Sequence, residues 1–198
     1  MRSRMSGEPM QRTEMRISGF GGQGVVLAGV LLGQAALNDG RYAVQNQSYG
    51  AEARGGAARS ELIIADEPII YPEVTAPRIM AVLSQAALDR YLSDLAEDGT
   101  LIADAELVSQ IPPRPRSRIL QSPLAIAGNE LKRPIVANMV MLGFLVQATG
   151  LVSQISLHQA VIQGVPTGTE ELNLRALERG VELAAAVESV APDPVVQS

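Results

Sequence analysis

Residues 17–29 read ISGFGGQGVVLAG, and five of these thirteen positions are glycine: Gly19, Gly21, Gly22, Gly24 and Gly29. Met15–Ser18 is short and stops at the cluster, so it reads as a strand entering a turn. From Gln23 to Leu37 apolar residues occupy nearly every side of a helical wheel, which predicts a helix buried between a sheet and a further layer. Gly19, Gly21 and Gly24 match G-x-G-x-x-G in the strand-to-helix context that a dinucleotide fingerprint demands. Glycines let a backbone turn sharply and approach a ligand closely, and the free N–H groups at a helix start favour an anion. Three readings stand open: an anion cradle, a turn made for packing alone, and a dinucleotide site. The third lacks a ribose-binding acid, because the next strand ends in Gln45, Asn46 and Gln47, and Asp39 lies at its wrong end. No Lys-Ser/Thr follows Gly24, so the stretch is not a Walker A loop.

Composition narrows the classes further. The 198 residues fit one domain. Hydrophobic residues make up 46% and aromatics only 3%, so the core must be aliphatic. A net charge of −5, with no stripe of Lys and Arg, argues against a nucleic-acid surface. No apolar run reaches the ~18 residues of a membrane span. Cysteine is absent, which removes disulfides, thiolate nucleophiles and thiolate-held iron–sulfur clusters, and fits a cytoplasmic location. Residues 1–14 are polar and read as a disordered extension; residues 191–198, with two prolines, read as a flexible tail.

Beyond the glycine stretch, Tyr42–Gln47 and Arg59–Ala65 are strand candidates, and Ile79–Ser84 is a continuous apolar run of the kind buried on both faces of a sheet. Gln85–Leu95 is amphipathic at helical spacing, and Thr100–Ala103 and Arg118–Gln121 are two further short strands. Pro112, Pro113 and Pro115 keep residues 111–118 out of regular structure. From Leu124 onward helices are expected over 124–131, 135–149, 156–163 and 169–190. The order of elements predicts an α/β fold, a three-layer α/β/α domain over 15–190 with a mostly parallel sheet and a helix-rich C-terminal third.

A second constellation, QSYGAEARGG (47–56), combines Tyr49, Glu52 and Arg54 with three glycines beyond a strand end, the edge where open α/β sheets bind ligands. It reads as a rigid polar loop that shapes a pocket or meets a partner, against the plainer reading of a solvated loop. His158 is the only histidine, so neither a catalytic triad nor a multi-histidine metal site is available. Asn138 reads as a polar contact to a neighbouring loop. Arg114, Arg116 and Arg118 read as a solvated proline loop, with a phosphate contact as the competing reading. No pair of carboxylates stands out for acid–base work.

Together, GFGGQGVVLAGVLLGQAA (19–36), QSYGAEARGGAARSELIIADEPIIYPEV (47–74), VLSQAALDRY (82–91) and RPIVANMVMLGFL (133–145) resemble the gamma subunits of 2-oxoacid:ferredoxin oxidoreductases, most nearly the 2-oxoglutarate type. Ala51 stands where that family's loop commonly has proline. The resemblance implies oxidative decarboxylation of a 2-oxoacid to an acyl-CoA with ferredoxin reduction, by a cytoplasmic hetero-oligomer of this chain with alpha and beta subunits, with or without a delta. It implies thiamine diphosphate, magnesium and iron–sulfur clusters in partner subunits only, and coenzyme A at or near this one. It assigns no catalytic and no metal-binding residue here. Gly21, Gly22, Gln23, Gly24 and Val25 are the implied cofactor contacts. Ser48, Tyr49, Glu52, Arg54, Gly55 and Gly56 are the implied pocket or subunit interface. Pyruvate-type and indolepyruvate-type subunits and a stand-alone NAD(P)-binding domain are the alternatives.

Overall fold

Strand β1 (Arg12–Phe20) runs through the middle of a six-stranded sheet, and the rest of the fold is arranged about its two sides. The computed structural model describes residues 12–48, 57–125 and 136–188. In chain order β1 is followed by α1 (Val25–Asn38), β2 (Tyr42–Ser48), β3 (Ala57–Ala65), β4 (Ile79–Val82) and α2 (Gln85–Tyr91), which tightens into a 3₁₀ turn over Leu92–Asp94. Then come β5 (Thr100–Asp104), β6 (Arg118–Ser122), α3 (Ala137–Thr149), α4 (Gln154–Gly164) and α5 (Glu170–Glu188). Each expected strand and helix on the described residues is present, and the expected helix over 124–131 lies mostly outside them.

The sheet order is β2-β3-β1-β4-β5-β6. The pairs β1/β4, β4/β5 and β5/β6 are parallel; β2/β3 and β3/β1 are antiparallel. The crossover through α1 thus delivers β2 two places from β1, and the β2–β3 hairpin fills the gap. Strand β4 shows why both faces need cover. Ile79 and Ala81 join the larger core with α1, α3, α4 and α5, while Met80 and Val82 join Leu88, Tyr91 and Leu92 on the other face. Three layers result, with four of the described helices on one side and α2 on the other.

On the larger side α3 is the central helix. Ten of its thirteen residues are buried, so it has no solvent face and is enclosed all round. It meets α5 at an unusually close crossing, because a Cβ at Gly143 would overlap the Leu177 carbonyl and one at Gly180 would overlap the Val140 carbonyl. The smaller side carries a charged cluster. Arg16, 3% exposed, donates through Nε and Nη2 to Glu61 Oε1 at 2.9 and 2.7 Å and through Nη1 to Asp94. Its guanidinium lies 4.9 Å from the centre of the Tyr91 ring.

One boundary differs from the sequence reading. Residues 12–14, expected within the disordered extension, belong to β1 and pair with β3 as far as Arg12 opposite Ala65. The segment after β3 holds them: Glu14 Oε2 accepts from the Thr75 and Ala76 N–H groups at 3.0 and 3.3 Å, and Arg12 Nη2 donates to the Tyr71 and Glu73 carbonyls. Those partners are some sixty residues away in the chain, so no local pattern announces them.

Candidate functional site

The glycine stretch forms the turn from β1 into α1, at the C-terminal edge of the sheet. Helix α1 packs on one face and α2 on the other, so the gap between β1 and β4 is a switch point of the topology, where open α/β sheets leave a crevice. The backbone of the turn closes through Gln23 N–H donating to the Phe20 carbonyl at 3.2 Å, and β4 joins it through Leu83 N–H donating to the Ser18 carbonyl at 2.9 Å.

The five glycines divide by use. Three are tightly packed. A Cβ at Gly19 would overlap Gln23 Oε1 and press on Leu83, one at Gly24 would overlap Asn138 Nδ2, and one at Gly29 would overlap Ser60 Oγ. The other two are open: nothing lies within 4 Å of a Cβ at Gly21 or Gly22. Gly22 and Gly24 have φ of +95° and +72°, in the left-handed region that side chains disfavour. Gly19, Gly24 and Gly29 thus have no room for a side chain, while Gly21 and Gly22 are exposed.

That open backbone adjoins the start of α1. Gly24 is the N-cap, has no side chain to cap with, and no acidic residue stands in the first helical turn. The first intrahelical bond is Ala28 N–H to the Gly24 carbonyl at 3.0 Å, which leaves the N–H groups of Val25, Val26 and Leu27 ahead of the ladder. Uncapped donors and the positive end of the helix dipole suit an anion. Asn138, at the first turn of α3 and 2% exposed, steadies the cap by donating to the Gly24 carbonyl at 3.2 Å. This is the contact to a neighbouring loop that its sequence position suggested.

Two expected contacts take a different form. The Val25 side chain is buried in the core, so only its N–H can face a ligand. The Gln23 side chain is occupied: Oε1 accepts from Phe20 N–H at 2.6 Å and Nε2 donates to the Leu83 carbonyl at 3.0 Å. Ser48 is exposed at the end of β2, level with Arg59 and, across β3, with Ser18. Two strand spacings, about 10 Å, separate it from β1. The second constellation thus starts from the same sheet edge as the glycine turn. Tyr49, Glu52, Arg54, Gly55 and Gly56 lie outside the described residues.

The dinucleotide reading fares poorly. The neighbour of β1 on that side is the antiparallel β3, so β2 is not where a ribose would rest. Gln45 Nε2 is taken by Ser60 Oγ at 2.8 Å, and Asn46 Nδ2 by the Pro72 carbonyl at 2.6 Å. Arg114 is neither solvated nor free for phosphate; it donates to the carbonyls of Leu92, Leu95 and Ala96 and closes the end of the 3₁₀ turn. Arg116 pairs with Glu97 at the surface, and Arg118 donates to the Ala148 carbonyl. Among the described residues no group of three or more His, Asp or Glu side chains could hold a metal. No described helix is long and apolar enough to cross a membrane.

The family model for pyruvate ferredoxin/flavodoxin oxidoreductase matches residues 14–183. The chain belongs to that family. It is 51% identical over 176 residues to the 2-oxoglutarate synthase subunit KorC of Methanocaldococcus jannaschii, covering 87% of this chain and 94% of the relative. The keto/oxoacid ferredoxin oxidoreductase gamma subunit of Geobacter sulfurreducens superposes with a TM-score of 0.81 at 43% identity, covering 89% of this chain and 98% of that one. The fold also recurs, at 19% identity and a TM-score of 0.81, in a chain of the Magnetococcus marinus 2-oxoglutarate:ferredoxin oxidoreductase, solved with 2-oxoglutarate, coenzyme A and succinyl-CoA; this chain covers 33% of it. Within the pyruvate ferredoxin/flavodoxin oxidoreductase family, the chain is a gamma-type subunit of a 2-oxoacid:ferredoxin oxidoreductase, as its motifs imply. What sequence reading missed in this family member is the Leu83 carbonyl that receives Gln23, a backbone group with no signal of its own.

Proposed function

We propose that this chain is the gamma subunit of a 2-oxoglutarate:ferredoxin oxidoreductase and that its glycine turn holds a phosphate of coenzyme A. The single observation that carries the second part is the pairing of open Gly21 and Gly22 with the uncapped start of α1 at the switch point. The KorC relatives, at 49–51% identity, favour 2-oxoglutarate as the 2-oxoacid.

In this reading the chain binds and orients one substrate and moves no proton. The backbone N–H groups of Gly21, Gly22, Gly24 and Val25 point toward the anion, and Ser48 with the loop after it borders the partner. The decarboxylation, the transfer of the acyl group to the CoA sulfur and the passage of two electrons to two ferredoxins belong to alpha and beta subunits, in a cytoplasmic assembly. Thiamine diphosphate and iron–sulfur clusters do not fit this chain, because the sequence has no cysteine and no GDG with a downstream asparagine.

Gly21 is the position to substitute, because it is exposed, open and not in the left-handed region. Gly21→Asp places a carboxylate at the turn without a clash. In the complex co-expressed with alpha and beta subunits it should raise KM for CoA about tenfold, because the carboxylate takes the favourable place at the helix N-terminus and repels the phosphate. The same complex should show an unchanged KM for 2-oxoglutarate, and the purified chain alone should reduce no acceptor. An unchanged CoA dependence would remove the phosphate role, and turnover by the isolated chain would remove the subunit reading.

A further inference from the structure

A turn rich in glycine holds its shape only if side-chain contacts fix it, since glycine restrains the backbone least of all residues. Here one side chain does so from within. The half-buried Gln23 amide spans the gap between the two parallel strands whose ends form the crevice. Its Oε1 accepts from Phe20 N–H at the end of β1, and its Nε2 donates to the Leu83 carbonyl just past β4. A side chain at Gly19 would occupy the seat of Oε1, so one glycine of the motif is needed to admit the amide at all.

We infer that Gln23 is a positioning residue for the anion site: it touches no ligand, and its two hydrogen bonds hold Gly21 and Gly22 outward at a fixed distance from the start of α1. This rests on the CoA reading above. The Phe20 N–H is taken by Gln23 and so withdrawn from the ligand, while Gly21 and Gly22 stay exposed. Fixing the turn before the ligand arrives removes the ordering cost from binding, which is how a neutral cradle without lysine in its turn can hold phosphate. Joining β1 to β4 also sets the width of the crevice. The effect belongs to CoA binding and not to the chemical step, which the partner subunits perform.

The test uses the assembled complex with CoA and 2-oxoglutarate as varied substrates. Gln23→Met keeps the length and removes both hydrogen bonds; Gln23→Asn keeps the amide but is too short to reach Leu83. Both should raise KM for CoA about tenfold, leave kcat at saturating CoA within about twofold, and leave KM for 2-oxoglutarate in place. Amide hydrogen exchange across residues 20–24 should accelerate in the same variants. If Gly21→Asp raises KM for CoA and neither Gln23 variant does, the positioning role is wrong and the CoA reading stands. If none of the three does, the CoA reading falls and the inference with it. A loss of kcat, or of assembly, in proportion to any CoA effect in both Gln23 variants would make the residue merely structural and overturn the inference.

Discussion

Two places in this molecule depend on glycine for opposite reasons. At the β1–α1 turn Gly21 and Gly22 keep the backbone bare and open to solvent. At the α3–α5 crossing Gly143 and Gly180 keep it bare so that the protein can approach itself, with carbonyls of each helix seated against the other's Cα. The first use leaves donors unsatisfied and exposed; the second leaves no room even for a methyl group. Crowding at Gly143 and Gly180 marks a structural joint, while the open Gly21 and Gly22 take no part in packing.

Substitution to alanine separates the two. Gly143→Ala should have the largest effect, because relief requires two helix backbones to part within the core. A loss of about 3 kcal/mol or more in urea unfolding of the full chain is expected; a loss below about 1 kcal/mol would show that the crossing yields easily. Gly24→Ala comes next, at about 2 kcal/mol, from the left-handed backbone and the displaced Asn138 amide. In an Asn138→Ala background the steric part should vanish and the backbone part remain. Gly21→Ala, at the open end of the same turn, should change stability by less than about 0.5 kcal/mol.

A further effect concerns a polar joint on the crossing's side of the sheet. Asp39, at the end of α1, accepts from Ser153 N–H and from the Ser153 and Ser156 hydroxyls at 2.7, 2.6 and 2.6 Å, and so ties α1 to the start of α4. Burial pushes its carboxyl upward, but the hydrogen bonds from Ser153 and Ser156 and the nearby Arg41 charge outweigh it and hold the pKa below the ordinary 3.8. A depressed folded pKa contributes stability that is complete above the unfolded value and lost as pH falls through the folded one. Asp39→Asn should therefore cost only about 0.5 kcal/mol at pH 7, because solvent screens the exposed carboxylate, and less at pH 3, measured by denaturant unfolding at both. An equal cost at the two pH values would remove the charge from the account.

Much of this organisation is legible in the residues. Glycine, proline and Asn-Asp-Gly clusters punctuate the strands and helices, so the ends of α1, β2, β4 and β5 fall within two residues of their expected places. The insertion of β3 between β2 and β1 is not legible, since strand pairing partners are set by the hairpin's return and not by either strand's own pattern. Nor is the crossing at Gly143 and Gly180, because a single glycine inside a helical run looks like a weak helix former until its neighbour in space is known. At the site, the glycine turn between β1 and α1 could be read from spacing and context. The inward pose of Gln23 and the capping by Arg114 could not, because their partners are backbone carbonyls from distant segments.

The Arg16 cluster has a consequence for how the chain finds its pairing. Side chains alternate along a strand, so shifting β1 by one residue against its neighbours would carry Arg16 to the face now held by Met15 and Ile17. There the guanidinium would lie among Leu31, Leu32 and Phe144 without Glu61 or Asp94, at a cost on the order of several kcal/mol. The correct register instead returns it to both carboxylates and the Tyr91 ring. The ion pairs need add little to the stability of the finished sheet to act as a proof-reading step in its assembly, rejecting the slipped pairing of the central strand before the helices close over it.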